Sequence, residues 1–97
     1  MHIISRKTLK DYWQREPEAE GELKAWYAEA NNADWKSPAE LKAKYRNASI
    51  LKAGRVVFNI CGNKYRLVVR INYKASLVYI RFIGTHKEYD KIDAESI

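Results

Sequence analysis

Near the end of the chain, a histidine and a tyrosine have the spacing of residues that share one face of a helical turn. The segment reads Gly84-Thr85-His86-Lys87-Glu88-Tyr89-Asp90, and Thr85 suits a helix N-cap. In such a turn His86 and Tyr89 stand at i and i+3, with Asp90 at i+4 from His86. Because the unperturbed pKa of histidine is about 6.5, His86 is suited to proton transfer near neutral pH. Taken alone, the His-x-x-Tyr spacing is a weak motif, and a plain surface histidine is the commoner explanation.

Apolar and polar residues alternate along the second half of the chain with the two-residue period of β-strands. Three such runs, 55–61, 64–73 and 77–84, are separated by short turns. They predict an antiparallel meander of three strands with one buried face. The expected buried set is Val56, Phe58, Ile60, Tyr65, Leu67, Val69, Ile71, Tyr73, Val78, Ile80 and Phe82.

The opposite face of this meander is predicted to be basic and open to solvent. It presents Arg55, Asn59, Lys64, Arg66, Arg70, Tyr79, Arg81 and Ile83. Val57 and Val68 also fall on it, and we expect these two aliphatic residues not to form a second core. Guanidinium groups on neighbouring strands suit phosphate binding, because arginine offers a planar, bidentate fork. A solvated basic surface without a ligand is the alternative interpretation.

The histidine and the basic face together meet the requirements for cleaving RNA through its own 2′-hydroxyl group. That reaction needs removal of the hydroxyl proton, stabilisation of charge on the phosphate, and protonation of the leaving 5′-oxygen. His86, at the rim of the sheet, is suited to proton transfer, and the arginines are suited to stabilising charge. Tyr89 could orient the reacting atoms, stack on a base or donate a proton.

The first half of the chain is predicted to be helical after a short strand at residues 2–5. The helical stripes are Leu9, Tyr12 and Trp13, before Pro17, and then Leu23, Trp26, Tyr27 and Ala30. Their aromatic residues are expected in the core rather than on a stacking platform. Ser37-Pro38-Ala39-Glu40 is a capping box with proline at the first helical position, and it predicts a short helix to about Tyr45. The order of elements indicates an α+β fold, with N-terminal helices packed on one face of a small, mainly antiparallel sheet and a short C-terminal helical turn.

Length and charge limit the class of protein. A chain of 97 residues is expected to form a single domain, residues 1–97. Between Lys36 and Lys91, thirteen Lys or Arg stand against three acids, a net of +10 within a whole-chain charge of +6. Such segregation favours an anionic partner, most commonly nucleic acid. Asp93, Glu95 and the rest of the C-terminal tail are expected to be solvated.

Other chemistries have no signal in the sequence. There is no Gly-rich phosphate loop, no Cys/His cluster for zinc and no Ser/His/Asp spacing, so neither a metal nor a cofactor is expected. Cys61 is the single cysteine, and there is neither a long apolar run nor a secretory signal. We therefore expect a cytoplasmic protein.

Four segments resemble the HigB toxin family, and together they span most of the chain. They are Met1-His2-Ile3-Ile4-Ser5, Ser37-Pro38-Ala39-Glu40-Leu41-Lys42, Val57-Phe58-Asn59-Ile60 continuing to Gly62-Asn63-Lys64-Tyr65-Arg66-Leu67, and Tyr79-Ile80-Arg81-Phe82-Ile83-Gly84-Thr85-His86-Lys87-Glu88-Tyr89-Asp90. The combination of Gly-Asn-Lys-Tyr-Arg-Leu with a later Gly-Thr-His-x-x-Tyr-Asp is specific, although each piece alone would be weak.

The resemblance implies a RelE-like fold and ribosome-dependent endonucleolytic cleavage of messenger RNA without a metal or cofactor. It also implies a HigA-like antitoxin with a helix-turn-helix, which forms a repressing complex with the toxin on operator DNA. Matched to the family site, the catalytic residues are Arg66, Arg81, His86 and Tyr89, with base and acid left unassigned. The candidate substrate-binding residues are Arg55, Asn59, Lys64, Arg70 and Lys87.

Two other functions fit the same basic sheet. A non-catalytic RNA- or ribosome-binding module would not need His86 or Tyr89. A gyrase poison, like the ParE relatives of this fold, would inhibit its target without cutting RNA. The His86 and Tyr89 pair favours the nuclease over both alternatives.

Overall fold

A five-stranded sheet with helices packed on one side forms the framework of the protein, whose computed structural model describes residues 1–97. The strands are β1 (His2–Ile4), β2 (Ser49–Ile50), β3 (Arg55–Ile60), β4 (Tyr65–Asn72) and β5 (Leu77–Thr85). The helices are α1 (Arg6–Arg15), α2 (Glu20–Asn32), α3 (Pro38–Lys44) and α4 (His86–Tyr89), and a 3-10 turn, Pro17–Ala19, precedes α2. None of these helices has the length and apolar character that crossing a membrane requires.

Each N-terminal helix buries the apolar stripe that its sequence predicts. The buried residues are Leu9, Tyr12 and Trp13 in α1, and Leu23, Trp26 and Ala30 in α2. α3 begins at Pro38, where the Ser37 hydroxyl accepts a hydrogen bond from the Glu40 amide at 3.2 Å. The predictions of these helices and of the Ser37 cap are confirmed.

The strand order is β1-β5-β4-β3-β2. β3, β4 and β5 form the predicted antiparallel meander. β1 joins β5 in parallel, with His2 opposite Leu77, and β2 pairs antiparallel with β3. β2 has no signal in the sequence, because its two residues are too few to display a period.

The main core lies between the helices and the sheet, and aromatic rings fill much of it. The ring of Phe58 on β3 meets Trp26 and Tyr45 edge-on, with centroids 5.3 and 5.1 Å apart. Tyr12 on α1 meets Tyr65 on β4 in the same way at 5.8 Å. Edge-to-face pairs at these distances stabilise a core beyond simple burial of area. The prediction that the helical aromatic residues belong to the core is confirmed.

A β-bulge in β5 changes which residues face the helices. Two consecutive β4 residues pair with Ile80 and Phe82, so Arg81 is an extra residue without a partner on β4. Beyond Arg81, Phe82 lies on the face away from the helices, and Ile83 packs against the helix-side core. The prediction that Phe82 is core and Ile83 faces outward is wrong. An inserted residue shifts the two-residue side-chain period by one, and so exchanges the faces.

A second, smaller apolar cluster lies on the face opposite the helices. Val57, Val68 and Ala94 are buried in it. Leu51, Phe82, Tyr89, Ile92 and Ile97 pack against it while remaining partly exposed. The prediction that Val57 and Val68 do not form a second core is wrong, because the end of the chain folds back over them. The prediction of a solvated tail is confirmed for Asp93 and Glu95, which are exposed, and is wrong for Ala94, which is buried.

The turn between β2 and β3 depends on glycine at position 54, where φ is +75°. A Cβ there would lie 2.8 Å from the Ile71 carbonyl oxygen, whereas Gly62, at φ +67°, has open space around it. We expect Gly62→Ala to cost about 1–2 kcal/mol for the left-handed backbone. Gly54→Ala should cost about 1–3 kcal/mol more than Gly62→Ala, because the crowded Cβ adds to the cost of the left-handed backbone. Urea unfolding of the two variants measures the difference, and equal losses of stability would contradict the crowding argument.

Candidate functional site

The sheet face that points away from the helices, the outer face, consists of three cross-strand rows. They are Arg55–Arg70–Tyr79, Val57–Val68–Phe82 and Asn59–Arg66–Gly84. The middle row is apolar, and residues of the C-terminal segment, 92–97, pack over it. The outer face therefore has two polar ends. The Arg70 end holds Arg70, Tyr79 and Arg81, and the His86 end holds Arg66 and His86.

At the His86 end, β5 runs directly into α4. The Thr85 hydroxyl accepts a hydrogen bond from the Glu88 amide at 3.1 Å, and the Thr85 amide donates to Oε1 of Glu88 at 2.8 Å. The His86 amide donates to the Lys64 carbonyl at 3.1 Å, which ties α4 to the turn before β4. These hydrogen bonds hold the backbone that carries His86, and the predicted helical turn after Thr85 is confirmed.

The His86 side chain is paired with a carboxylate and stays open to solvent. Its Nδ1 atom lies 3.1 Å from Oδ2 of Asp90, and the side chain is 52% exposed. A carboxylate in this position orients the imidazole ring. Because Nδ1 is engaged, Nε2 is the nitrogen that a substrate would meet.

Arg66 is held at the same end by the turn between β3 and β4. Its Nη1 donates to the Asn63 carbonyl at 2.9 Å, and its Nη2 lies 3.5 Å from Oδ1 of Asn63. Its register partner on β5 is Gly84, two residues before His86. No carboxylate pairs with Arg66, so the guanidinium keeps donors for an anion. The contact between Asn63 and Arg66 was not predicted from the sequence, because turn residues carry no periodic signal.

Tyr89 ends α4 and is only partly exposed. It packs against the Val57 and Val68 cluster beneath the C-terminal segment. Its ring therefore joins α4 to the outer face, next to the turn that presents His86. The residue is within the candidate site, but part of its surface serves packing.

Arg81 occupies the bulge of β5 and belongs to the Arg70 end. Its guanidinium carbon lies 5.6 Å from the centroid of the Tyr79 ring, and that of Arg70 lies 5.9 Å from the same centroid. Arg66 is opposite Gly84, three residues beyond Arg81, which is about 10 Å along a strand. Both arginines lie on the outer face, but the structure groups Arg81 with Arg70 rather than with Arg66.

Arg55 has partners within the chain. Its Nε and Nη2 atoms donate to the Ile97 carbonyl at 3.0 and 2.6 Å, and Nη1 donates to the Ala53 carbonyl at 3.0 Å. The guanidinium therefore anchors the C-terminal segment over the middle row. Those contacts leave it fewer donors for a ligand than Arg70 has.

The remaining candidate binding residues are dispersed. Lys64 forms an ion pair with Glu18 in the turn before α2, and that carboxylate raises the lysine pKa. Asn59 donates to the Asn47 carbonyl at 3.3 Å and lines a cleft of about 340 Å³ at the β2 side of the sheet. Lys87, on α4, is exposed and has no ion-pair partner.

The cleft is separate from His86. Its lining residues are Glu22, Lys44, Tyr45, Arg46, Asn47, Ala48, Asn59 and Gly62. The His86 and Arg70 ends are instead open surfaces, which suits an extended chain better than an enclosed small molecule. No group of three or more His, Cys, Asp or Glu side chains is arranged to hold a metal ion.

Comparison with known proteins gives a consistent result. Residues 19–92 match the HigB toxin family, described as the RelE-like toxic component of a toxin–antitoxin system. The mRNA interferase toxin HigB of Escherichia coli K12 is 36% identical over 92 residues, which cover 93% of this chain and 88% of that protein. The mRNA interferase HigB of Escherichia coli CFT073 is 27% identical over 94 residues, with 95% and 91% coverage.

The two arginines that face each other across β3 and β4 should respond differently to truncation. Arg55→Ala removes hydrogen bonds that hold the C-terminal segment, so we expect a loss of about 1.5–3 kcal/mol in the free energy of unfolding. Arg70→Ala removes an exposed side chain without such bonds and should change stability by no more than about 0.5 kcal/mol. Denaturant midpoints of both variants provide the measurement, and equal effects would argue against an anchoring role for Arg55.

The cap of α4 should weaken in acid. The hydrogen bond from the Thr85 amide, foremost among several causes, lowers the pKa of Glu88 below its ordinary 4.5. A depressed carboxyl pKa stabilises the folded cap above the ordinary value, and this contribution is lost as pH falls through the lower, folded-state pKa. We expect the NMR resonance of the Thr85 amide to shift as the pH is lowered from about 6 to about 3. Glu88→Gln is the control without a titrating group, and a resonance that moves equally in both proteins would exclude Glu88 as the cause.

Proposed function

Since this chain belongs to the HigB family of RelE-like toxins, we propose that it cuts messenger RNA on the ribosome with the outer face of its sheet. The protein is the toxic component of a toxin–antitoxin system and an endoribonuclease of the mRNA interferase type. Our assignment of the site rests on the exposed His86–Asp90 pair. It lies at the same end of the outer face as Arg66, which has no carboxylate partner.

In the proposed reaction the RNA supplies its own nucleophile. The 2′-oxygen bonds to the adjacent phosphorus as its proton leaves, and the bond from phosphorus to the 5′-oxygen breaks as that oxygen gains a proton. The products are a 2′,3′-cyclic phosphate and a 5′-hydroxyl end, and no oxidant, metal or cofactor enters the balance.

Five residues take part in this reaction. His86 is the proton-transfer group, and Asp90 orients its ring. Arg66 and Arg81 contact the scissile region of the backbone from the two ends of the outer face and stabilise its developing negative charge. Tyr89 orients the reacting nucleotide beside α4.

RNA binding beyond the cleaved bond is assigned to the residues that keep free donors. Arg70 and Lys87 are exposed and without ion-pair partners, and Asn59 lies beside Arg66 in the register of the sheet. The contacts of Arg55 with Ile97 and of Lys64 with Glu18 favour structural roles for both. We therefore expect these two residues to contribute less to RNA binding than the sequence alone suggested.

The proposed inhibitor is a HigA-like helix-turn-helix antitoxin, which forms a repressing complex with this toxin on operator DNA. The basic outer face offers electrostatic complementarity to an acidic surface of such a partner. The acids at the start of α2 and in the 3-10 turn before it offer less. Glu18 is paired with Lys64, and Glu22 accepts a hydrogen bond from the Cys61 amide. The ribosome as the place of action puts the toxin in the cytoplasm.

The proposal is tested with purified ribosomes translating a defined messenger. His86→Ala should lower the cleavage rate by about 10²–10⁴-fold, because a general acid–base group contributes that much. His2→Ala is the matched control, since His2 is the other histidine and lies exposed in β1. Cleavage by His86→Ala at the parent rate would exclude the proton-transfer role.

The same assay separates the alternative functions. A binding module without catalysis would arrest translation while leaving the messenger intact. A gyrase poison would leave messenger and translation untouched, and it would act instead in a DNA supercoiling assay. Ribosome-bound cleavage by the parent protein contradicts both.

A further inference from the structure

Arg70 and Arg81 are organised around one aromatic ring. Their guanidinium carbons lie 5.9 and 5.6 Å from the centroid of the Tyr79 ring, within the roughly 6 Å at which a ring attracts a cation. Tyr79 is partly buried in the sheet, with Ile4 of β1 and Arg70 of β4 as its register neighbours. Because Tyr79 lies between two neighbouring strands, its ring has fewer available conformations than the long arginine side chains.

The charges at this end are not neutralised within the chain. Arg70 lies directly opposite Arg55, and like charges in such a pair destabilise a sheet. Arg55 donates to a backbone carbonyl, whereas Arg70 and Arg81 make neither an ion pair nor a hydrogen bond. Two exposed guanidinium groups near one ring suit an anion with several acceptor oxygens, such as a phosphodiester.

We propose that Tyr79 is a positioning residue that holds Arg70 and Arg81 as a paired binding site for a backbone phosphate of the RNA. The inference rests on the proposed function and adds to it a residue that need not touch the reacting atoms. The ring lowers the number of conformations available to both arginines before RNA arrives, so less side-chain entropy is lost on binding. It also stabilises each of the two cations in the absence of an anion.

The test uses single-turnover cleavage of messenger RNA on translating ribosomes at a series of toxin concentrations. This gives a maximum rate and a half-saturating concentration for each variant. Tyr79→Leu removes the ring but keeps an apolar side chain. It should raise the half-saturating concentration about 10-fold, because two arginine side chains must then be ordered when RNA binds. It should also lower the maximum rate, because Arg81 stabilises charge in the proposed reaction. Tyr79→Phe keeps the ring and should remain within about two-fold of the parent.

Tyr27→Leu is the matched control on the helix side of the sheet. The guanidinium carbon of Arg6 lies 5.0 Å from the centroid of the Tyr27 ring. This cation–π contact is similar to those of Tyr79, but it is remote from the outer face. This variant should keep the parent half-saturating concentration. Unfolding midpoints of all variants report whether each one is folded.

Arg70→Gln provides a second measurement when it is combined with Tyr79→Leu. If Tyr79 acts through Arg70, the double variant with Tyr79→Leu should lose less than the product of the two single effects, because the substitutions disrupt one unit. Fully multiplicative losses would contradict the inference. If Tyr79→Leu proves unstable, Tyr79→Met is the ring-free variant that takes its place in the same comparisons.

The remaining outcomes are distinguishable. Parent behaviour in Tyr79→Leu would overturn the inference while leaving the nuclease intact. Equal defects in Tyr79→Phe and Tyr79→Leu would assign the effect to the hydroxyl group and would also overturn it. Absence of cleavage by the parent protein would instead contradict the proposed function, and the inference would fall with it.

Discussion

The alternation of side chains across β3, β4 and β5 is the constraint on which the rest of the molecule depends. One face of the sheet must be apolar, because the helices pack against it. The polar side chains of the same strands therefore lie on the other face. Arg81 interrupts that alternation as the extra residue of a bulge. If β5 paired with β4 without a bulge, Phe82 would point toward the helices. The side chains beyond it, up to Thr85 before α4, would then also lie on the opposite faces of the sheet. The bulge therefore determines both the packing of Phe82 and the direction from which His86 leaves the sheet.

The outer face is not a continuous basic surface, because an apolar row divides it. Val57, Val68 and Ala94 exclude water between the Arg70 end and the His86 end. Burial of these side chains is favourable, and it attaches the C-terminal segment and Tyr89 to the sheet. A close-packed row of this kind holds the two polar ends at a fixed separation.

Placing several arginines on adjacent strands creates repulsion that the protein resolves in three different ways. Arg55 donates to the Ile97 carbonyl, Arg66 to the Asn63 carbonyl, and Arg70 shares the Tyr79 ring with Arg81. Neither the Asn63 carbonyl nor the Tyr79 ring carries a negative charge, so the positive charges of Arg66, Arg70 and Arg81 are positioned without being cancelled. The acids of the chain are used elsewhere, with Glu18 on Lys64 and Asp90 on His86. A surface that retains its charge in this way attracts an anionic polymer over a long range.

Local patterns in the sequence were sufficient for the helices, the meander and the cap of α4. Each of these depends on residues a few positions apart, as with Ser37 and Glu40 or Thr85 and Glu88, so the signal lies in a short window. The position of the arginines on the outer face followed from the same two-residue period. The bulge at Arg81, the two-residue strand β2 and the burial of Ala94 against Val57 were decided by the tertiary structure. They depend on contacts between distant parts of the chain, and an extra residue in a strand has no local signature until its partner strand sets the register.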